Sequence, residues 1–234
     1  MTEEGPKEAR EARVLIADDH AMVRLGLRSV LEYESDLEVV GEAQNGREAV
    51  EMCRRLGPDV VLMDVRMPEM DGLQATRALK REFPDVSVLM VTMHEDPDYL
   101  LEAVKAGAAG YVLKDVPGDR LVGAIRRTLN GESPLDQELS MQLMKRLARE
   151  AEREAKPPPR VEPRRDAPTE KLTPRELEVV RLMALGKTNP QIAQNLIVSR
   201  GTAKIHVQRI IQKLGVSDRT QAAVRAIELG LIGP

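Results

Sequence analysis

Residues 60–72 read VVLMDVRMPEMDG, an apolar run that ends in an acid and is followed by a Met-Pro turn and an Asp-Gly turn. Such a run, bounded by turn signals, is typical of a strand buried on both faces, as in a parallel sheet. Asp64 then stands where the strand leaves the sheet. A carboxylate at that point is either a cap for a turn or helix, or a reactive group. The other residues near Asp64 distinguish a structural cap from a reactive group.

Strands and helices alternate on both sides of this stretch. Apolar runs predict strands at residues 14–17, 37–43, 60–63, 86–91 and 111–113. Helical spacing and caps predict helices at residues 21–34, 45–56, 73–81, 97–106 and 117–129. Five strands alternating with five helices favour an α/β fold with a doubly wound parallel sheet.

The composition limits the class of protein. The 234 residues are 42% hydrophobic with one Phe and no Trp, so the cores are aliphatic. No apolar run is long enough to span a bilayer, and the charged residues 1–13 lack the apolar stretch of a signal peptide. A single cysteine, Cys53, cannot form an internal disulfide, which fits a reducing cytoplasm. We therefore expect a cytoplasmic protein with no membrane partner.

Four segments follow from the change in character along the chain. We predict a disordered leader at 1–11, an α/β domain at 12–134, a linker at 135–168 and a helical domain at 169–234. The linker begins as an amphipathic helix and continues as a proline-rich, semi-extended segment. In the last domain, Thr173 opens a capping box, Ser199 caps the third helix, and glycines end the helices.

The charge is divided unevenly between the two ends of the chain. Residues 170–234 hold ten Lys/Arg against five Asp/Glu, which gives a net charge of +5. Because the whole chain has a net charge of −3, residues 1–169 have a net charge of −8. An acidic N-terminal part and a basic C-terminal part suggest different partners for the two domains.

Five polar residues follow the predicted strands at their carboxyl ends: Asp18, Asp19, Asp64, Thr92 and Lys114. In an open parallel sheet these ends share one edge, where ligands bind. Three carboxylates in one crevice repel one another, and Mg²⁺ with its preference for oxygen ligands would compensate them. With Mg²⁺ present the Asp64 carboxylate can attack phosphorus, while Lys114 and Thr92 contact the phosphoryl oxygens.

Residues 12–131 resemble a receiver domain of two-component signalling. The resemblance rests on the acidic pair 18–19, the stretch 60–72, Thr92, and the run YVLK that ends in Lys114. It implies a flavodoxin-like sheet of strand order 2-1-3-4-5. It also implies that a histidine kinase transfers a phosphoryl group to Asp64.

The same resemblance implies roles for the surrounding residues. Asp19, Asp64 and the backbone carbonyl of Arg66 would coordinate Mg²⁺. Asp18 would reach the ion through water. Thr92 and Tyr111 would form the switch that reports phosphorylation. A receiver of this kind is not an enzyme beyond its own phosphoryl transfer and dephosphorylation.

The predicted helix after Ser199 places an apolar residue on a polar face. Ala203, Val207 and Ile210 fall at core spacing, which leaves Ile205 on another face between Lys204 and Gln208. In contact with DNA, an isoleucine can meet a thymine methyl group and a glutamine can reach adenine. Burial of Ile205 against a partner protein is the alternative.

Residues 169–232 resemble a LuxR-type helix-turn-helix domain, and the two halves together resemble a response regulator of the NarL/FixJ type. The matching segments are 172–176, 189–193, 201–207 and 213–220. The predicted DNA contacts are Lys187, Ser199, Arg200, Thr202, Lys204, Ile205, Gln208 and Arg209. Two residues depart from the usual pattern: Arg200 stands where an acid is frequent, and Ala203 where valine is.

The resemblance also implies partners. We expect a sensor histidine kinase, double-stranded promoter DNA with paired half-sites, and a second copy of the chain when phosphorylated, with RNA polymerase as a further candidate. In this family the last helix, residues 217–229, pairs two subunits. Ala222, Ala223 and Ala226 would permit the close approach.

Two alternative functions remain open on the sequence. An Asp-nucleophile phosphohydrolase on a similar sheet would need an acid two residues after the nucleophile, where this chain has Arg66. A DNA-binding protein whose receiver serves only as a phosphate-independent dimerisation module is the second alternative.

Overall fold

The computed structural model describes residues 11–93, 97–132, 146 and 172–232. The predicted leader up to residue 10 and the linker, apart from Arg146, lie outside the described residues. The same holds for Asp96, whose side chain and the proline after it predict the N-terminal cap of the helix at residues 97–106. Within the described ranges, no helix combines the length and the apolar character needed to cross a bilayer.

The N-terminal domain is built on five parallel strands. They are β1 (Ala12–Ala17), β2 (Leu37–Ala43), β3 (Val60–Met63), β4 (Ser87–Thr92) and β5 (Gly110–Leu113). Their order in the sheet is β2-β1-β3-β4-β5, with parallel pairing throughout. The predicted doubly wound sheet and its strand order 2-1-3-4-5 are therefore confirmed.

Helices cover both faces of this sheet. They are α1 (Ala21–Leu31), α2 (Gly46–Leu56), α3 (Gly72–Glu82), α4 (Pro97–Ala106) and α5 (Gly118–Leu129). Val61 and Met63 of β3 pack in one core cluster with residues of α2, α3 and α4, whereas Val60 and Leu62 pack in another with residues of α1 and α5. Alternate side chains of a strand point to opposite faces, so a strand buried on both faces must be apolar throughout.

The turn after β3 is held by a close backbone approach and a helix cap. A Cβ atom at Gly72 would lie 1.9 Å from the Asp64 carbonyl oxygen, so glycine is required there. The Asp71 side chain accepts a hydrogen bond from the Gln74 backbone N–H and opens α3 with a capping box. This turn therefore fixes where Asp64 leaves the sheet.

The C-terminal domain consists of four helices. They are α6 (Pro174–Ala184), α7 (Asn189–Leu196), α8 (Arg200–Leu214) and α9 (Arg219–Glu228). Thr173 and Glu176 form the predicted capping box, and Ser199 caps α8 by accepting from the Thr202 N–H. Gly215, with φ of 64°, ends α8 in the left-handed conformation that glycine adopts without strain.

The structure corrects one prediction about α9. Ala222, Ala223 and Ala226 are at most 4% exposed and belong to the domain's own apolar core. They face α6 and α8 side chains rather than a second subunit, so the predicted pairing surface at these alanines is wrong. The small residues serve close packing inside the domain.

We predict opposite effects on stability for two glycine substitutions. Gly72→Ala should lower the free energy of unfolding by more than about 2 kcal/mol, because the methyl group meets backbone that cannot move aside. Gly26→Ala is the control, since Gly26 is exposed in the middle of α1 with no atom near the new Cβ. It should raise that free energy by roughly 0.5–1 kcal/mol. Chemical denaturation measures both, and equal effects would contradict the close approach at residue 72.

Candidate functional site

The ammonium group of Lys114 joins two carboxylates at the carboxyl end of the sheet. Its Nζ lies 2.5 Å from Asp18 Oδ2 and 3.1 Å from Asp64 Oδ1. Asp18 is 1% exposed and Asp64 is 7% exposed, so the pairs are shielded from water. The structure thus brings together the residues that follow β1, β3 and β5.

The acidic pair after β1 is held by its neighbours. Asp18 accepts the His20 backbone N–H on Oδ1 at 2.9 Å, and its backbone carbonyl accepts from Arg24 Nη1 at 2.7 Å. Asp19 is exposed, and its Oδ1 lies 2.6 Å from His20 Nδ1. Asp18 is therefore fixed in the crevice, whereas Asp19 lies at its rim.

The environment of Asp64 makes its charge costly. Burial raises the pKa of the Asp64 carboxyl, the Lys114 ammonium lowers it, and the charge of Asp18 raises it again, with a net rise. The carboxylate is thus poorly hydrated and held by one cation. Such a group gains from any further positive charge that enters the crevice.

The two predicted switch residues lie on neighbouring strands. Thr92 is 1% exposed at the end of β4, and its carbonyl accepts the Lys114 N–H at 2.8 Å. Tyr111 is 3% exposed on β5 and belongs to the core cluster that includes α4. Both side chains are therefore inside the domain, next to the helix that follows β4.

Arg66 directs its side chain away from the carboxylates. Its guanidinium donates to the Tyr99 hydroxyl, and its central carbon lies 5.3 Å from the centre of the Tyr99 ring on α4. This contact combines a hydrogen bond with a cation–π interaction. The position two residues after Asp64 thus carries a cation bound to α4 and no acid.

The donor set of the crevice fits a hard divalent cation. The ligand atoms of Asp18, Asp19 and His20 lie within 4.8 Å of one another. Asp64 adds a third carboxylate, and Lys114 offsets one of the three negative charges. Oxygen ligands with an excess of negative charge suit Mg²⁺.

The second candidate site is the outer face of α8. Ala203, Val207, Ile210 and Leu214 are buried in the core, as predicted. The opposite face is exposed: Lys204, Gln208 and Arg209 lie in solvent, and Ile205 is 49% exposed. An isoleucine between polar residues is thus presented to the outside, next to the helix N-terminus.

The polar residues around the start of α8 differ in their roles. Ser199 and Thr202 share a hydrogen bond between hydroxyls of 2.8 Å, in addition to the cap. Arg200 is exposed. Lys187 is half-buried, and its backbone carbonyl accepts from Arg219 of α9. Ser199 and Thr202 therefore stabilise the helix end, while Arg200 extends the positive charge of the surface.

Several contacts at these sites were not predicted from the sequence. His20 and Arg24 secure the acidic pair, and Tyr99 receives Arg66. The helical spacing of residues 20 and 24 signals a shared face. Nothing local indicates that residue 99 meets residue 66, because the two lie on different elements.

We predict a pH-dependent stabilisation by Asp64→Asn. A raised pKa means that the folded state holds the proton more tightly than the unfolded chain, so stability is lost as the pH rises through the folded pKa. Without Mg²⁺, Asp64→Asn should raise the midpoint of thermal unfolding at neutral pH and change it little near about pH 4. Circular dichroism in a chelating buffer measures this, with exposed Asp115→Asn as control. A lower midpoint for Asp64→Asn at neutral pH would contradict the stated environment.

Comparison with known proteins assigns a family to each of the two domains. Residues 14–126 match the response regulator receiver domain family, and residues 170–226 match the luxR family of bacterial regulatory proteins. The chain is 41% identical over 214 residues to the transcriptional regulatory protein LiaR of Bacillus subtilis (strain 168), which covers 92% of this chain and 96% of LiaR. It is 38% identical over 223 residues to DegU of Brevibacillus brevis, covering 94% of each.

Solved structures show the same architecture. The response regulator RcsB of Salmonella typhimurium is similar with a TM-score of 0.54 and 27% identity, over 91% of this chain and 98% of that one. A structure of two RcsB dimers bound to two parallel DNAs gives a TM-score of 0.53 and 26% identity, over 94% and 100%. With both domains matched and relatives aligned along nearly its whole length, this chain belongs to the response regulators of the NarL/FixJ type, transcription regulators that join a receiver domain to a LuxR-type helix-turn-helix domain.

Proposed function

We propose that this regulator is controlled by phosphorylation of Asp64. A histidine kinase donates the phosphoryl group in a Mg²⁺-dependent reaction, and the phosphorylated protein dimerises and binds promoter DNA through α8. The observation that carries the proposal is the pairing of Lys114 with both Asp18 and Asp64 in a shielded crevice. An arrangement in which one cation faces two buried carboxylates suits the arrival of a second cation and an anionic group.

Asp64 is the nucleophile of the transfer. One of its carboxylate oxygens forms a bond to phosphorus as the bond from phosphorus to the histidine nitrogen of the kinase breaks. Lys114, now 3.1 Å from Asp64 Oδ1, pairs with a phosphoryl oxygen in the product. The Thr92 hydroxyl donates to another phosphoryl oxygen.

The residues that would hold Mg²⁺ are Asp19, Asp64 and the backbone carbonyl of Arg66, with Asp18 acting through water. When bound, the ion offsets negative charge on the phosphoryl oxygens. The chain's own contribution is geometric: the Asp18 carboxylate is held by the His20 N–H, and the Asp64 backbone is set by the turn at Gly72.

Thr92 and Tyr111 carry the signal to the surface. Movement of the Thr92 hydroxyl toward a phosphoryl group leaves space that Tyr111 can occupy, and α4 packs against β5, the strand that carries Tyr111. Phosphorylation shifts the equilibrium between two receiver conformations by its differential free energy in the two. The state that it favours is the one that dimerises.

Helix α8 reads DNA in the major groove. Lys204 and Gln208 are four residues apart and share a face with Ile205 next to them. The free N–H groups at the helix start, together with Arg200 and Lys187, are suited to phosphates. Phosphate contacts position the protein, and contacts with base edges give the specificity. RcsB dimers in complex with DNA support paired half-sites for this chain as well.

Labelling with a small-molecule phosphodonor tests the nucleophile. With Mg²⁺, acetyl phosphate should add one acid-labile phosphoryl group to the parent protein, and Asp64→Asn should lose it. Asp115→Asn is the matched control, because Asp115 is an exposed acid beside Lys114, and it should keep the label. Intact-mass measurement reads the result. Undiminished labelling of Asp64→Asn would refute the assignment of Asp64 as the phosphoacceptor, whereas a parent protein that takes no label would favour the phosphate-independent receiver.

Binding of DNA across a salt series separates the two roles on α8. Ile205→Ala and Gln208→Ala should each reduce the preference for cognate over scrambled duplex by roughly 1–3 kcal/mol. Arg200→Ala and Lys187→Ala should weaken binding to all duplexes, and the salt dependence should become shallower by about one unit of slope for each phosphate that the variant no longer neutralises. Lys204→Ala can follow either pattern, and its salt slope assigns it.

Gln212→Ala is the control for Gln208→Ala, since Gln212 is an exposed glutamine in the last turn of the same helix. Its cognate-to-scrambled ratio, measured by fluorescence anisotropy, should equal that of the parent protein. If Ile205→Ala and Gln208→Ala also leave the ratio unchanged, α8 does not read the sequence.

A further inference from the structure

Arg219, the first residue of α9, is a buried cation that is bonded to the start of another helix. It is 2% exposed. Its Nη1 donates to the side-chain oxygen of Asn189 at 3.0 Å, and its Nη2 donates to the backbone carbonyl of Lys187. Asn189 is the first residue of α7 and is itself buried. The start of α9 therefore holds the turn between α6 and α7.

The turn between α6 and α7 is fixed on both sides of Lys187. α6 ends in a Schellman motif, in which the Lys187 N–H donates to the Leu182 carbonyl and the Gly186 N–H donates to the Met183 carbonyl, each at 3.0 Å. The carbonyl of the same Lys187 accepts from Arg219. Because both backbone polar groups of Lys187 are bonded, its side chain leaves the turn from a fixed position.

In the described part of the chain, no carboxylate is hydrogen-bonded to the Arg219 guanidinium. Both of its acceptors are uncharged. The neighbouring carboxylate, Asp218, instead accepts from the Gln221 N–H and from the Ser217 hydroxyl, each at 3.0 Å. Burial lowers the pKa of Arg219 to about 10, while the charge of Glu132 in the receiver opposes this fall. The guanidinium is therefore still charged at neutral pH.

A neutral acceptor at position 189 is not the most stable choice for this site. Removal of a cation from water is unfavourable unless an opposite charge lies beside it. An aspartate at position 189 would place a carboxylate where the Asn189 amide oxygen now accepts from Arg219. The first turn of a helix also favours acids, and α7 has none there. Asn189 thus leaves an excess of positive charge at the start of α7 that an aspartate would neutralise.

Positive charge at this turn is suited to the phosphate backbone of DNA. Lys187, two residues before Asn189, is one of the phosphate contacts proposed above. The N–H groups at the start of a helix add partial positive charge at the same place. A phosphate bound at this turn would therefore supply the negative charge that the described residues do not place beside Arg219.

We propose that Arg219 is a positioning residue for the binding of DNA. It holds the Lys187 backbone and the start of α7 where they meet a phosphate, and its charge adds to the attraction of this turn for the anion. Arg219 does not itself touch DNA. The inference rests on the proposed function in one respect, namely that this domain binds DNA, and it requires neither a particular base sequence nor a particular oligomeric state.

Asn189→Asp separates stability from DNA binding. The new carboxylate pairs with Arg219, so the midpoint of thermal unfolding of the full-length protein should rise by a few degrees. Binding to a random-sequence duplex at low salt should weaken by about threefold or more, because the carboxylate repels phosphate. Asn195→Asp is the matched control: Asn195 is exposed on the same helix, about 9 Å further along its axis, and this variant should bind as the parent protein does.

Arg219→Lys tests the geometry while the charge is kept. A single ammonium nitrogen replaces the planar fork that reaches both Asn189 and Lys187. The salt dependence of binding should become shallower by about one unit of slope, as expected for Lys187→Ala. In the double variant, Lys187→Ala should then add little, because its side chain has already lost its position. Arg225→Lys, at an exposed arginine of the same helix, should match the parent protein.

Fluorescence anisotropy across a salt series, with thermal unfolding of each variant, separates the outcomes. A residue that only stabilises the fold would move stability and binding in the same direction, so an Asn189→Asp protein that is more stable and binds as well as the parent would overturn the inference. A lower unfolding midpoint for Asn189→Asp, or a full effect of Lys187→Ala in the Arg219→Lys protein, would also overturn it. Should Arg219→Lys fail to fold, Asn189→Asp decides alone. A parent protein that binds no duplex at any salt concentration would instead refute the proposed function, and the inference with it.

Discussion

The pairing of Lys114 with Asp18 and Asp64 is the interaction on which the receiver depends. Its ammonium group lies 2.5 Å from the Asp18 carboxylate and 3.1 Å from the Asp64 carboxylate, in a place shielded from water. One positive charge thus faces two negative charges. The remaining charge is unfavourable without a further cation, and it is confined to the edge where three strands end. Parallel strand order makes this possible, since β1, β3 and β5 deliver their last residues to the same edge.

The sequence predicts such a crevice because each strand and the polar residue after it can be recognised locally. The rule that parallel strands end at the same edge of a sheet then places these polar residues together. The run 60–63 identifies a strand buried on both faces, and the residue after it must then lie at the carboxyl edge. Caps behave similarly: Asn45, Thr173, Ser199 and Asp218 each accept a backbone N–H three residues later, as side chains of their type favour. Roles assigned to individual DNA-contacting residues and the domain boundaries stay predictions.

The error at α9 has a physical origin. Small residues at 222, 223 and 226 are compatible with close packing either inside a domain or between subunits. Helical periodicity identifies which side chains share a face, but it does not identify the element that packs against that face. The face that does meet another domain carries Thr220 and Gln221, whose side chains bond to backbone carbonyls. Every residue has a backbone carbonyl, so the side chains at these acceptor positions do not indicate that they bind Thr220 and Gln221. This contact could therefore not be predicted from the sequence.

Helix α4 links the two sites because it is held at both ends. Near its start Tyr99 receives Arg66, which lies two residues past Asp64, and at its end Val104 accepts the Gln221 amide. Ten residues of α-helix span about 15 Å and move as a rigid rod. A hydrogen bond weakens when its length grows by a few tenths of an ångström beyond about 3 Å. If the first turn of α4 moved by a few tenths of an ångström along the helix axis, the hydrogen bond from the Gln221 amide to the Val104 carbonyl would therefore weaken as well.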